Sequence, residues 1–275
     1  MTDLTKQPVC LTIAGLDPSG GAGIIADVKT FRAFGCYGTA AVTSITFQNT
    51  TGVFGAVHQT AESVRGQVQA VADDMQIAAI KTGMLPTREV IAETARLIAA
   101  NNFTRIVVDP VVRSTSGFDL IDEDALRTLI DQLFPLADVV TPNLPEAERI
   151  TGMKIRDAHD IEKAAALMRS MGARNVLIKG GHLVSADCGL RIADSDRPKA
   201  TDYLLIGEDL TVFEAEFIET TATHGTGCTL AAAIAANLAL GKDLIEAVKI
   251  AKDFVTEAIR TAPHLGRGNS PINIT

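Results

Sequence analysis

The pentapeptide His224-Gly225-Thr226-Gly227-Cys228 runs directly into an alanine-rich stretch that reads as a helix. Glycines at such a place let the backbone turn so that successive N–H groups point at one spot, and the helix dipole adds positive potential there. The result is a seat for an anion, or for negative charge that develops during acyl or phosphoryl transfer. A bare Gly-x-Gly is also a common turn ahead of a helix, and Cys228 is also the kind of small residue that packs in a tight helix start. Read as a functional thiol at a first helical turn, Cys228 is expected to have a depressed pKa and to act as base or nucleophile.

Other loops offer complementary chemistry. Gly20-Gly21-Ala22-Gly23 precedes a second helix, but it does not fit the dinucleotide pattern, and no Gly-Lys-Ser/Thr phosphate loop occurs anywhere. Close backbone approach to a small ligand is its expected work. Asn143 and Glu146 lie one turn apart just after a strand. They read as an ordinary helix start, or, beside a phosphate, as oxygen ligands for Mg²⁺. Asp109 closes another strand and adds a carboxylate, and Lys179, also at a strand end, is placed to meet phosphates or simply to be solvated. Gln48 brings a planar amide with one acceptor and two donors into a stretch of apolar and hydroxyl side chains. That suits an aminopyrimidine edge, although a loop-capping glutamine is the plainer reading.

These loops need elements to hold them. Apolar runs and helical periodicities alternate along the chain. Strands are expected over 9–14, 40–45, 77–81, 105–108, 138–140 and 175–178. Helices are expected from about 24 to 34, over 61–73, from 86 to about 100, after Asp122, near 157–171, over 227–240 and from about 243 to 261. Runs 203–206 and 210–217, split at Gly207, read as an antiparallel hairpin. Repeated βα units require a mostly parallel sheet, because parallel strands need crossover helices. Ligands of such sheets bind at the carboxyl ends of the strands. Each loop named above follows a strand directly, so the loops converge on one edge of the molecule.

Composition narrows the class. The 275 residues are 47% hydrophobic with 4% aromatics and no Trp, an aliphatic filling suited to a sheet covered on both faces. A diffuse net charge of −8 argues against nucleic acid or an anionic membrane as partner. The four cysteines, Cys10, Cys36, Cys188 and Cys228, stand far apart with no metal spacing. The first residues lack the pattern of a signal peptide, and the apolar run 229–240 is too short to span a bilayer. A cytoplasmic protein with reduced thiols is expected.

Taken together, the segments 14–23, 48–50, 81–85, 109–111, 141–146, 179–182 and 223–229 resemble the hydroxymethylpyrimidine/phosphomethylpyrimidine kinases of thiamine biosynthesis, within the ribokinase superfamily. The resemblance runs from near residue 10 to about 270. Cysteine in the anion loop is its specific part, since most ribokinase relatives have Asp there. It implies a single α/β domain over 1–275, a three-layer sandwich with a mostly parallel central sheet and a small antiparallel hairpin. It implies an ATP-dependent kinase acting on 4-amino-5-hydroxymethyl-2-methylpyrimidine and then on its monophosphate, with a pyridoxal kinase of the same fold as the alternative. By the same resemblance, Cys228 would be the general base, with Gly225 and Gly227 framing the anion hole. Gln48, Gly15, Asp17 and Met84 would form the acceptor pocket. Lys179, Thr223 and Asn143 would meet ATP, and Glu146, Asn143 and Asp109 would serve Mg²⁺. A homodimer is implied as well. The chain departs from the family at Thr115, where Lys is most frequent, and at Phe47, whose bulk would narrow the pocket.

Overall fold

In the computed structural model, the described residues are 7–112, 120–180 and 198–275; Arg113, Thr115, His182 and Cys188 lie outside them. The chain opens with β1 (Val9–Leu16), α1 (Gly23–Ala33), β2 (Tyr37–Asn49), β3 (Gly52–His58), α2 (Ala61–Ala72) and β4 (Ile77–Thr82). It continues with α3 (Arg88–Ala100), β5 (Ile106–Val108), α4 (Glu123–Thr128), β6 (Val139–Val140), α5 (Leu144–Thr151) and α6 (Ala158–Ser170). It ends with β7 (Asn175–Lys179), β8 (Lys199–Ile206), β9 (Asp209–Glu216), α7 (Thr226–Ala239) and α8 (Leu244–Arg260).

One nine-stranded sheet has the order β3-β2-β1-β4-β5-β6-β7-β8-β9. The strands from β2 to β7 are parallel to their neighbours, whereas β3, β8 and β9 pair antiparallel. The β8–β9 hairpin is the one expected from sequence. The β2–β3 hairpin is not among the expected elements.

Side-chain alternation along the buried strands builds two cores. Ile80, Ile106, Val108, Val140 and Ile178 face one side, against residues of α2 to α6 such as Val68, Ile91, Ala147 and Ile161. Cys10, Ala79, Val107, Val139 and Leu177 face the other side, against Phe31 of α1, α7 and α8. This is the expected sandwich of helix, sheet and helix. The sequence leaves β1 for β2 on one side and returns to β4 on the other, so the strand order reverses between β1 and β4. A crevice at the carboxyl ends of those strands follows from that reversal.

The cysteines do not all stay apart in space. Cys10 and Cys36 are both buried and their thiols share a hydrogen bond, which raises the pKa of Cys10 and lowers that of Cys36. β1 and the α1–β2 junction thus bring together two cysteines that stand far apart in the sequence.

Candidate active site

The glycine loops meet at the crevice. Gly225 has φ +88°, and a Cβ there would lie 1.7 Å from the Gly21 carbonyl oxygen. Only glycine allows the two loops to touch in this way. Gly23, at φ +57°, is equally constrained, since a Cβ would sit 2.2 Å from the Gly15 carbonyl oxygen. The anion loop is held from both directions. The carbonyl of Thr223 accepts from the N–H of Thr226 at 3.3 Å and from its hydroxyl at 3.1 Å, which closes the turn into α7.

Asp17 organises the same junction. Its Oδ1 accepts from the Ser19 N–H and hydroxyl at 2.8 and 2.7 Å. Its Oδ2 accepts from the N–H groups of Gly21 and Ala22 at 3.2 and 2.8 Å and faces His224 Nε2 at 2.7 Å. Burial alone would raise the Asp17 pKa, but the bonds from His224 and Ser19 outweigh it and hold the carboxyl below the usual range. With both oxygens engaged, Asp17 ties the 15–23 loop to the anion loop and has little capacity left for a ligand.

Cys228 lies half-buried at the start of α7, with the Gly23 N–H directed at its sulfur. The expected depressed pKa is not found. Burial pushes the thiol up to about 11, the charges of Asp27 and Asp109 add to the rise, and Lys81 and the Gly23 N–H only partly oppose it. The helix start supplies N–H donors as expected, but desolvation of a thiolate costs more than they return.

Two lysines flank this thiol. Lys179 Nζ is 2.9 Å from Asp109 Oδ1, which also accepts from the Thr141 hydroxyl at 3.2 Å. A Cβ on Gly227 would be 3.2 Å from Lys179 Nζ, so the bare glycine lets that ammonium stand against the anion loop. The Lys179 pKa is raised: burial opposes this, but Asp109, Glu146 and Cys228 favour the charged form. The second, Lys81, pairs through Nζ with Asp27 Oδ2 at 2.9 Å, both side chains wholly buried, and the Thr12 hydroxyl donates to the same oxygen at 2.6 Å. Lys81 and Asp27 have no assigned role in the sequence reading. Their signal was present as a lone ionisable residue inside an apolar strand and another on a helix one turn beyond Gly23.

Asn143 and Glu146 form a reciprocal capping box at the start of α5, each side chain bonded at 2.8 Å to the other's backbone N–H. The plainer of their two readings is thus realised. Glu146 is buried, and its pKa rises to about 7 because of burial and the nearby Asp109, against the pull of Lys179. Among the described residues, no group of three His, Cys, Asp or Glu side chains could hold a metal by itself.

The acceptor side is partly assembled. A Cβ on Gly15 would lie 3.4 Å from Met84 Sδ and 3.8 Å from Ser44 Cβ, so these residues share one wall. Gln48 is half-buried on β2, and a bulge shifts the register between Phe47 and Gln48. The extra residue is Phe54 on β3, so β2 itself keeps its alternation. The Phe47 ring lies over Gly55 of β3 and is 52% exposed. Adjacent strand residues point to opposite faces, so Phe47 and Gln48 lie on opposite sides of β2.

Seating an anion at a helix start, beside a sulfur that can exchange a proton and between two ammonium groups, is what moving a phosphoryl group onto an alcohol requires. On this sheet, the arrangement defines a small-molecule kinase of the ribokinase-like class. The chain belongs to the phosphomethylpyrimidine kinase family, whose sequence model matches residues 17–273. A hydroxymethylpyrimidine/phosphomethylpyrimidine kinase of Haemophilus influenzae is 43% identical over 265 residues, covering 96% of this chain and 95% of that protein. A crystal structure of phosphomethylpyrimidine kinase from Clostridium difficile 630 is 40% identical with a TM-score of 0.78, over 92% of this chain and all of that one. A pyridoxal kinase from Staphylococcus aureus, solved with AMP-PCP and pyridoxal, is 34% identical with a TM-score of 0.86, over 98% of this chain and 94% of that one.

Proposed function

We propose that this protein is an ATP-dependent kinase that phosphorylates 4-amino-5-hydroxymethyl-2-methylpyrimidine and then its monophosphate, serving thiamine diphosphate biosynthesis. The observation that carries the reading is Cys228 in a glycine anion loop, with Lys179 standing against Gly227. Gln48, whose side-chain amide has no protein partner among the described residues, would hydrogen-bond the ring. Gly15 and Met84 would line its face. Asp17 would act indirectly, by holding the loops.

In this reading the N–H groups at the start of α7 receive the transferred phosphoryl oxygens, and Lys179 neutralises charge on the phosphates. The transition state is loose, so positioning and charge stabilisation do most of the work and the hydroxyl proton leaves late. Cys228 Sγ accepts that proton. For this it must be ionised, which burial disfavours in the free protein, and Lys81 and the Gly23 N–H lower the cost.

The residues also fit Mg²⁺. Asp109 and Glu146 are buried carboxylates that share the charge of Lys179, and the Glu146 pKa is raised by burial and then by Asp109. A hard cation with oxygen ligands and several waters suits such a place, with Asn143 reaching it only through water because its side chain is engaged in the capping box. Bound there, Mg²⁺ would neutralise phosphate charge. A single domain over 1–275, a homodimer and a cytoplasmic location complete the proposal, supported by family membership. No helix among the described residues is long and apolar enough to cross a membrane.

Pyridoxal kinase is the second reading, favoured by the fold match to the S. aureus enzyme. A coupled ATP-consumption assay separates the two. Turnover with the pyrimidine alcohol and its monophosphate supports the proposal, whereas clear preference for pyridoxal moves the assignment to the second reading.

A further inference from the structure

The glycine-rich C-terminal turn is not used by the mechanism above, yet it touches both halves of the site. Thr50, two residues beyond Gln48, sits at the tip of the β2–β3 hairpin. Its hydroxyl accepts from the N–H groups of Arg267 and Gly268 at 3.2 and 3.3 Å, and its carbonyl accepts from the N–H of Asn269 at 2.8 Å. The fit is tight enough to demand glycine at two positions. A Cβ on Gly266, where φ is +82°, would lie 2.2 Å from Thr50 Oγ1, and one on Gly268 would lie 2.1 Å from the Thr50 carbonyl oxygen.

The same turn then reaches the anion loop. The N–H of His224 donates to the Ser270 carbonyl at 3.2 Å, and the N–H of Ile272 donates to the His224 carbonyl at 3.4 Å. Pro271 bridges to His224, and a Cβ on Gly21 would meet both the His224 ring and Pro271. The Ser270 hydroxyl accepts from the Leu265 N–H at 2.9 Å, which folds the turn back on itself. Residues 265–272 therefore run from the hairpin tip that carries Gln48 to the loop that carries Cys228.

We propose that Thr50 is a positioning residue: by holding the C-terminal turn against the hairpin tip, it fixes the Gln48 end of the acceptor pocket relative to the anion loop. Acceptor binding and nucleotide binding are then coupled through this turn, because it is hydrogen-bonded at one end to Thr50 and at the other to His224. The inference rests on Gln48 as an acceptor-side residue. It goes further in assigning the communication between the two substrates to a turn at the protein surface.

The test is calorimetric titration of the acceptor alcohol with and without AMP-PCP and Mg²⁺, on wild type, Thr50→Val, Thr50→Ser and Gly268→Ala. Thr50→Val keeps the shape and removes the acceptor, and the freed N–H groups of Arg267 and Gly268 lie where water reaches them, so the variant folds. In wild type the analogue should tighten the acceptor by about fivefold or more, the lower end of ordinary coupling. Thr50→Val and Gly268→Ala should bring that ratio towards one, so that the affinity for AMP-PCP measured at saturating acceptor falls by the same factor as the affinity for the acceptor measured at saturating AMP-PCP, and Thr50→Ser should restore both. Native coupling in a folded Thr50→Val protein overturns the inference, as does equal damage in Thr50→Ser, or absence of coupling in wild type. If wild type takes pyridoxal in place of the pyrimidine, the substrate proposal fails on its own, and the same variants are read with pyridoxal.

Discussion

A thiol whose pKa sits near 11 in the free protein makes a quantitative claim about Cys228 reactivity. Relative to the ordinary value of 9.0, the shift of about two units leaves roughly a hundredfold less thiolate at any pH well below both values. The more basic thiolate is also the better nucleophile, and with a Brønsted slope of about 0.4–0.5 it recovers roughly eightfold per ionised sulfur. The net expectation is exchange about tenfold slower than an unstructured cysteine peptide, before any loss from restricted access. Exchange with hydroxyethyl disulfide, followed residue by residue by mass spectrometry from neutral to alkaline pH, measures this. The rate at Cys228 should still be climbing above about pH 9, where the peptide begins to level off. A plateau below about pH 8, at or above the peptide's rate, would refute the claim that desolvation dominates at this helix start.

Three more outcomes follow from the geometry. Gln48→Ala should raise KM for the pyrimidine through loss of about 1–3 kcal/mol of paired polar contact, with KM for ATP unchanged; a change confined to ATP would mean the acceptor pocket lies elsewhere. Gly225→Ala forces a left-handed backbone on an L-residue, costing about 1–2 kcal/mol, and also drives a Cβ into the Gly21 carbonyl, so thermal unfolding should show a lower Tm together with lost turnover. Asp17→Asn should cost about 1–3 kcal/mol at neutral pH by unpairing the loop donors. The native carboxyl has a depressed pKa, so its stabilisation is present above the unfolded value of about 3.9 and fades as pH falls through the lower folded value. Tm followed into acid should therefore converge for the two proteins, and a constant gap would contradict the assigned pairing.

Much of the fold is legible in the sequence because buried parallel strands and amphipathic helices alternate there. β1, β4, β7 and the helices α2, α3, α6, α7 and α8 lie within a few residues of their expected bounds. β3 escapes that logic because Val53, Phe54 and Val57 are exposed, so its apolar residues mark no core face. On α1, Asp27 turns inward to meet Lys81 and is buried beside Ala26, Thr30 and Phe31, a placement that apolar periodicity does not signal. The convergence of Gly15, Met84, Asp109, Lys179 and the anion loop at the strand ends follows from topology alone. The work of Asp17 and the direction of the Cys228 shift do not, since the first depends on His224 from a distant segment and the second on burial that only packing creates. Capping by Asn143 and Glu146 is visible locally, but the burial that lifts the Glu146 pKa arises only when α5 packs beside Asp109 and Lys179.

The central claim is that phosphoryl transfer to the alcohol runs through the Cys228 loop, and turnover by Cys228→Ser tests it most directly. Serine keeps the helix start and its N–H donors, so binding of ATP should survive with KM little altered. Loss of a general base should lower kcat by about 10²–10⁴ on both the pyrimidine alcohol and its monophosphate. Near-wild-type kcat on both substrates would contradict the account, leaving Cys228 as a packed residue and placing the proton acceptor elsewhere.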